Sequence, residues 1–152
     1  MGLFALLSAR RKYAFVKRVI RFLVSRTFAD DLFRFMDENE GVFRDHAGVD
    51  EHLLEFSQVH SEFCAAFETK VSEFIESEKY SLDEFYEFVK QAHDNDNASM
   101  VGFVNTFVAI FDYQTFTDVM KSREKRKYLR QIVDSWASEF RGERSTAAET
   151  KK

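Results

Sequence analysis

An all-α fold, a single-domain bundle of about six helices, is what this sequence predicts, and three observations carry that expectation. Apolar side chains recur at spacings of three and four along most of the 152 residues, which is the repeat of one helix face. Proline is absent and only five glycines occur, so the turn chemistry of sandwiches and barrels is missing. Finally, 18 phenylalanines in a chain that is 45% hydrophobic supply enough apolar area for one core without disulfide or metal staples.

The first helix is expected from about Ser8 to Ser25, with Phe15, Val19, Phe22 and Leu23 on one face and Arg11, Lys12, Lys17, Arg18 and Arg21 elsewhere. A second runs from about Ala29 to Asn39 and buries Leu32, Phe33 and either Phe35 or Met36. Gly41 and the polar residues after it end that helix, and a loop follows to about Gly48. The longest and central helix carries Val49, Leu53, Phe56, His60, Phe63, Phe67, Val71 and Phe74 at alternating steps of three and four. Ser81 and Glu84 stand at capping-box spacing and open a fourth helix that faces the core through Leu82, Phe85, Val89 and Ala92. After the polar connection His93 to Asn97, the residues Met100, Phe103, Val104, Phe107, Val108 and Phe111 mark a fifth helix buried on more than one side. Asp112 to Thr115 break it and cap the next, which carries Phe116, Val119 and Met120. Apolar spacing resumes at Tyr128, Leu129, Ile132, Val133, Trp136 and Phe140, so either one long helix leaves the core briefly or two meet near Lys125. Residues 13–141 form the domain in this reading, 1–12 a basic leader, and 142–152 a disordered polar tail.

Charge is distributed in three blocks. Residues 1–29 hold seven Lys and Arg and no acid, residues 30–120 hold 21 acids against five bases, and residues 121–152 hold ten bases against five acids. An acidic body argues against nucleic acid as the main partner and favours a basic or amphipathic one. The basic first helix resembles a mitochondrial presequence as well as a core helix, so mitochondrial targeting and membrane contact through this segment stand as alternatives. No apolar run approaches the roughly 20 residues that cross a bilayer, and a soluble protein is expected. The single cysteine, Cys64, excludes an internal disulfide and any multi-cysteine metal site.

Catalytic motifs are missing: there is no Walker loop, no G-x-S-x-G and no H-E-x-x-H. Cys64 has no basic cluster beside it in sequence to lower its pKa, and His60 falls on the apolar stripe, where a hydrogen-bonded core histidine is the first reading. No enzyme, no cofactor and no metal are expected.

Three segments, in order, carry a family resemblance. Phe56-Ser57-Gln58-Val59-His60-Ser61-Glu62-Phe63, followed by Phe67-Glu68, is similar to the BART pattern of aromatic, Thr or Ser, aliphatic, then Glu-aromatic and an apolar-Glu pair. Asp112-Tyr113-Gln114-Thr115-Phe116 with Val119-Met120 resembles that family's D-F-x-x-F motif, and Phe28 to Phe43, with Phe35-Met36-Asp37, resembles its second helix and loop. The resemblance covers roughly Val16 to Arg126. It implies a monomeric six-helix domain that holds the amphipathic helix of a GTP-loaded Arf-like small GTPase in a hydrophobic cleft with an acidic rim. It also implies action in the cytoplasm, including the cilium or flagellum. The basic leader departs from the acidic one familiar in such binders. The residues assigned to partner contact on this basis are Met36, Phe56, Val59, Glu62, Phe63, Phe67, Glu68, Asp112, Tyr113 and Phe116. Taken alone, the stripe Phe56, Phe63 and Phe67 reads as core, with Val59 off it, while Asp112 reads as a helix cap and Glu62 and Glu68 as surface.

Overall fold

The computed structural model describes the backbone of residues 2–44, 53–94 and 98–150, and the side chains of 2–44, 54–91 and 99–140. Helix α1 (Leu3–Leu23) leads into α2 (Arg26–Glu38) across a tight joint. Ser25 makes that joint: its hydroxyl donates to Phe22 O (2.7 Å) and accepts from Phe28 N (3.3 Å), closing one helix and capping the next. The first helix thus starts five residues before the expected Ser8 and takes in most of the leader, with no break between leader and core helix. Gly41 does not end α2. Asn39 does, its side chain donating to Phe35 O, and Gly41 lies inside a short helix, α3 (Glu40–Arg44), where a loop was expected. The rest of that expected loop, and Val49, lie outside the described residues.

The central rod is α4 (Leu53–Phe63), a π-helical turn (Cys64–Glu68) and α5 (Thr69–Ser77), continuous in axis but not in pitch. The π turn winds more residues per turn, so after it the buried positions advance by fours, through Phe63, Phe67, Val71 and Ile75. Phe74, expected on the stripe, is consequently rotated to the flank, where it stacks on Phe22 at 4.5 Å. Helix α5 ends in a Schellman motif: Tyr80 N donates to Ile75 O, Lys79 N donates to Glu76 O, and Lys79 takes a left-handed φ of 70°.

Helix α6 (Leu82–Asp94) starts at the capping box the sequence predicts. Glu84 N donates to Ser81 Oγ and Ser81 N to Glu84 Oε1, both at 3.1 Å. Helix α7 (Ala98–Ala109) buries Met100, Val101, Phe103, Val104 and Phe107 over a broad face, and Ile110 just after it is buried too. Asp112 caps α8 (Tyr113–Met120) by accepting from Thr115 N at 3.2 Å. The chain then breaks at Lys121 and Ser122, whose hydroxyl accepts from Lys125 N, and α9 (Arg123–Thr150) begins; two helices meet there, not one. Helix α9 runs past Gly142 to Thr150. A helix already nucleated adds one hydrogen bond per residue, and Ala147, Ala148 and Glu149 favour it.

These helices enclose one aromatic core. Phe15 contacts Tyr80 (4.1 Å) and Phe85 (6.0 Å), tying α1 to α6, while Phe43 stacks on Phe56 at 4.5 Å and joins α3 to α4. Phe103 meets Trp136 at 5.3 Å, and Phe140 is buried, so α9 packs on the domain as far as Phe140. Its first turn is held by Arg126, which is buried. One guanidinium nitrogen donates to Val119 O (3.1 Å) and Met120 O (2.6 Å) at the end of α8, and the other lies 2.9 Å from Glu40. Arg123 (2.7 Å) and Arg44 (3.5 Å) also pair with Glu40. A cation at a helix C-terminus satisfies carbonyls that the helix leaves open. Among the described residues there is no strand, and no helix is long and apolar enough to cross a membrane.

Candidate functional site

The two segments singled out in the sequence come together where α4 packs on α8. Phe63 lies 4.6 Å from Phe116 and 5.3 Å from Phe67, and Phe43 bridges Phe56 to Phe116. All of these rings are buried, as are Met36 and Val59. Of the ten residues assigned to partner contact, Met36, Phe56, Val59, Phe63, Phe67 and Phe116 are thus packed in the core in this structure. The physical reason is area: each ring removes so much apolar surface from water that a small domain places it inside first. Val59, expected off the stripe, is buried too, because α4 is covered on a wide arc by both α3 and α8.

What reaches the surface is a half-buried seam with an acidic border. His60 Nε2 donates to Phe111 O at 2.7 Å, and since a carbonyl only accepts, that nitrogen carries the proton. The Cys64 thiol donates to the same carbonyl at 3.6 Å. Tyr113 packs edge-on against His60 at 5.5 Å, next to the cap residue Asp112, which is exposed. This linkage clamps the end of α7 and start of α8 to the rod. The histidine is hydrogen-bonded, as read from the sequence, but sits half-buried at the edge of the core. Among the described residues no group of His, Cys, Asp and Glu is placed to hold a metal ion.

From Cys64 the surface continues into a shallow, open groove of about 560 Å³ along the π turn and α5, lined by Cys64, Ala65, Glu68, Thr69, Ser72, Glu73 and Glu76. Glu62 and Glu68 are exposed, as the sequence predicts. Burial, and then the charge of Glu68, push the Cys64 thiol up to about 11, so it stays protonated and a poor nucleophile. Burial, and then the charge of Glu68, also raise the phenol of Tyr86 on α6. Sequence reasoning missed Ala65, Ser72, Glu73, Glu76 and Tyr86. The small and acidic residues do recur at helical spacing on the face opposite the stripe, but the π turn that gathers them into one groove has no sequence signature.

A family model described as the ARF-like 2 binding protein BART matches residues 11–129, from the third turn of α1 to the second turn of α9. No curated protein and no solved structure gives a significant match. With residues 11–129 of 152 matched in one continuous span, and the paired α4 and α8 segments inside that span, the chain belongs to the BART family.

Proposed function

We propose that this protein is a non-enzymatic effector or adaptor that binds an Arf-like small GTPase in its GTP-loaded state. The observation that carries the reading is the family match over residues 11–129, in a family described by its binding of ARF-like 2. The partner's amphipathic helix lies along the groove of the π turn and α5, with its apolar side on Cys64 and Ala65 and its basic side toward Glu68, Glu73 and Glu76. The acid-rich face raises the encounter rate of such a helix and sets its register. Selectivity for GTP arises if the α4 and α8 seam also touches the switch loops, because only a contact that differs between nucleotide states shifts their balance. The protein acts as a monomer in the cytoplasm, including the cilium or flagellum.

Calorimetric titration into Arf-like GTPases loaded with GDP or a non-hydrolysable GTP analogue tests this. The expected result is binding selective for the GTP analogue, weakened by Glu68→Lys with Glu73→Lys, and by Glu62→Lys, with thermal unfolding unchanged. Equal binding in both nucleotide states would reduce the protein to a scaffold for an amphipathic helix, and absence of binding across the panel would remove the function. Binding that survives Glu62→Lys would take that residue out of the site.

A further inference from the structure

The beginning of α1 is unlike the rest of it. Residues 2–11 are exposed on every side of the helix, whereas Phe15, Val16, Val19, Ile20 and Leu23 are buried. The first turns therefore stand clear of the body, yet they are not polar. Leu3 is 72% and Phe4 90% exposed, with Leu6 at 44% and Leu7 at 42%. Large apolar side chains gathered in one place on a surface mark a contact. Arg10, Arg11 and Lys12 follow directly, and no acid occurs among residues 1–29. Lys12 Nζ donates to Gln91 Oε1 at 3.3 Å and lies over the Phe88 ring, so the projecting turns are rooted on α6 at their base. Among the described residues, Glu84 is the only acid lining the groove beneath Phe4 and Leu7, and its carboxylate already accepts from Ser81 N in the α6 cap.

We propose that these turns are a lipid-binding tip. Leu3, Phe4, Leu6 and Leu7 insert among the acyl chains of an anionic bilayer, and Arg10 and Arg11 meet its phosphates. An apolar groove on a protein would need the four hydrophobic residues only. The run of cations beside them, with no acid interspersed, is the complement of an anionic surface. A second copy of the chain fits less well, because pairing two such tips brings like charges together. Insertion is shallow, since no helix among the described residues can span a membrane. All of the tip except Arg11 precedes the family match, which begins at residue 11, so the proposal stands apart from the GTPase reading.

The test is co-sedimentation of the full chain with vesicles of phosphatidylcholine containing roughly 30% phosphatidylserine, compared with phosphatidylcholine alone, at low and at physiological salt. Binding to the anionic vesicles is expected, weakened by salt and at least about tenfold weaker on neutral ones. Leu3→Asp with Phe4→Asp should abolish it, and Arg10→Glu with Arg11→Glu should weaken it more than about tenfold. Both pairs should melt like the parent, since these side chains are exposed. No sedimentation at low salt, or equal sedimentation by the Leu3 and Phe4 variant, would overturn the proposal. So would a dimer in sedimentation velocity that the same variant dissolves without any vesicle binding, which would assign the tip to a second copy.

Discussion

Truncating Phe63 to alanine asks whether the ring at the centre of the α4 segment is a wall of the core or a partner contact. Its side chain is fully buried, and four rings surround it: Phe116 at 4.6 Å, Phe67 and Phe111 at 5.3 Å, and Phe35 at 5.8 Å. These belong to α8, the π turn, the end of α7 and α2, so no single neighbour can relax into the space. Loss of a buried phenylalanine costs about 3–5 kcal/mol, and each aromatic pair adds roughly 0.5–1.5 kcal/mol beyond its area, though not additively. Phe63→Ala should therefore lose about 4–5 kcal/mol, a large part of the ~5–15 kcal/mol that holds a domain of this kind together. Equilibrium urea unfolding followed by far-ultraviolet circular dichroism measures it, with Phe4→Ala as a control expected within about 0.5 kcal/mol of the parent. A loss below about 1.5 kcal/mol for Phe63→Ala would refute the reasoning, because only a ring with access to water is removed so cheaply.

Arg126→Met keeps most of the buried stem but removes the guanidinium donor from Met120 O and leaves Val119 O with Ser122 N alone, and should cost about 2–4 kcal/mol in the same assay. Glu40 adds a pH dependence. The hydrogen bond from Arg123, and then the charges of Arg126 and Arg44, outweigh desolvation and hold its carboxyl below the usual carboxylate range. The unfolded chain therefore takes up that proton first on acidification, so the contribution is complete above the ordinary carboxylate pKa and is lost as pH falls through the folded value. Stability measured through the acid range should thus decline less steeply for Glu40→Gln than for the parent; an identical slope would reject the role. Lys79→Gly relieves a left-handed backbone at the end of α5 and should stabilise by about 0.5–1 kcal/mol, seen as a raised Tm. Cys64, with its thiol pushed up to about 11, should react with iodoacetamide at pH 8 far more slowly in the folded than in the unfolded protein.

Much of the fold is legible in local chemistry. The capping boundaries at Ser81 and Asp112 needed only a short polar side chain three residues ahead of a free backbone N–H, and both stand where that spacing puts them. The family was legible as well, because the α4 and α8 segments keep their order and spacing. Two things resisted local reading. The start signal of α1 competes with propagation, which carries a nucleated helix through weak breakers where there is no proline. The π turn at Cys64–Glu68 is likewise invisible to a period of 3.6, and through it Ile75 replaces Phe74 in the core.

By itself, then, the sequence determined the helical class, the aromatic core and which two segments belong together, since these follow from side-chain area and periodicity. Only the tertiary structure decided which side of those segments meets water. A phenylalanine has the same affinity for a core as for a partner's helix, and the choice between them depends on which neighbours the other helices bring. In this chain α2, α3 and α8 cover the rings of α4, and what they leave at the surface is the acidic groove of the π turn and α5, together with the projecting turns of α1.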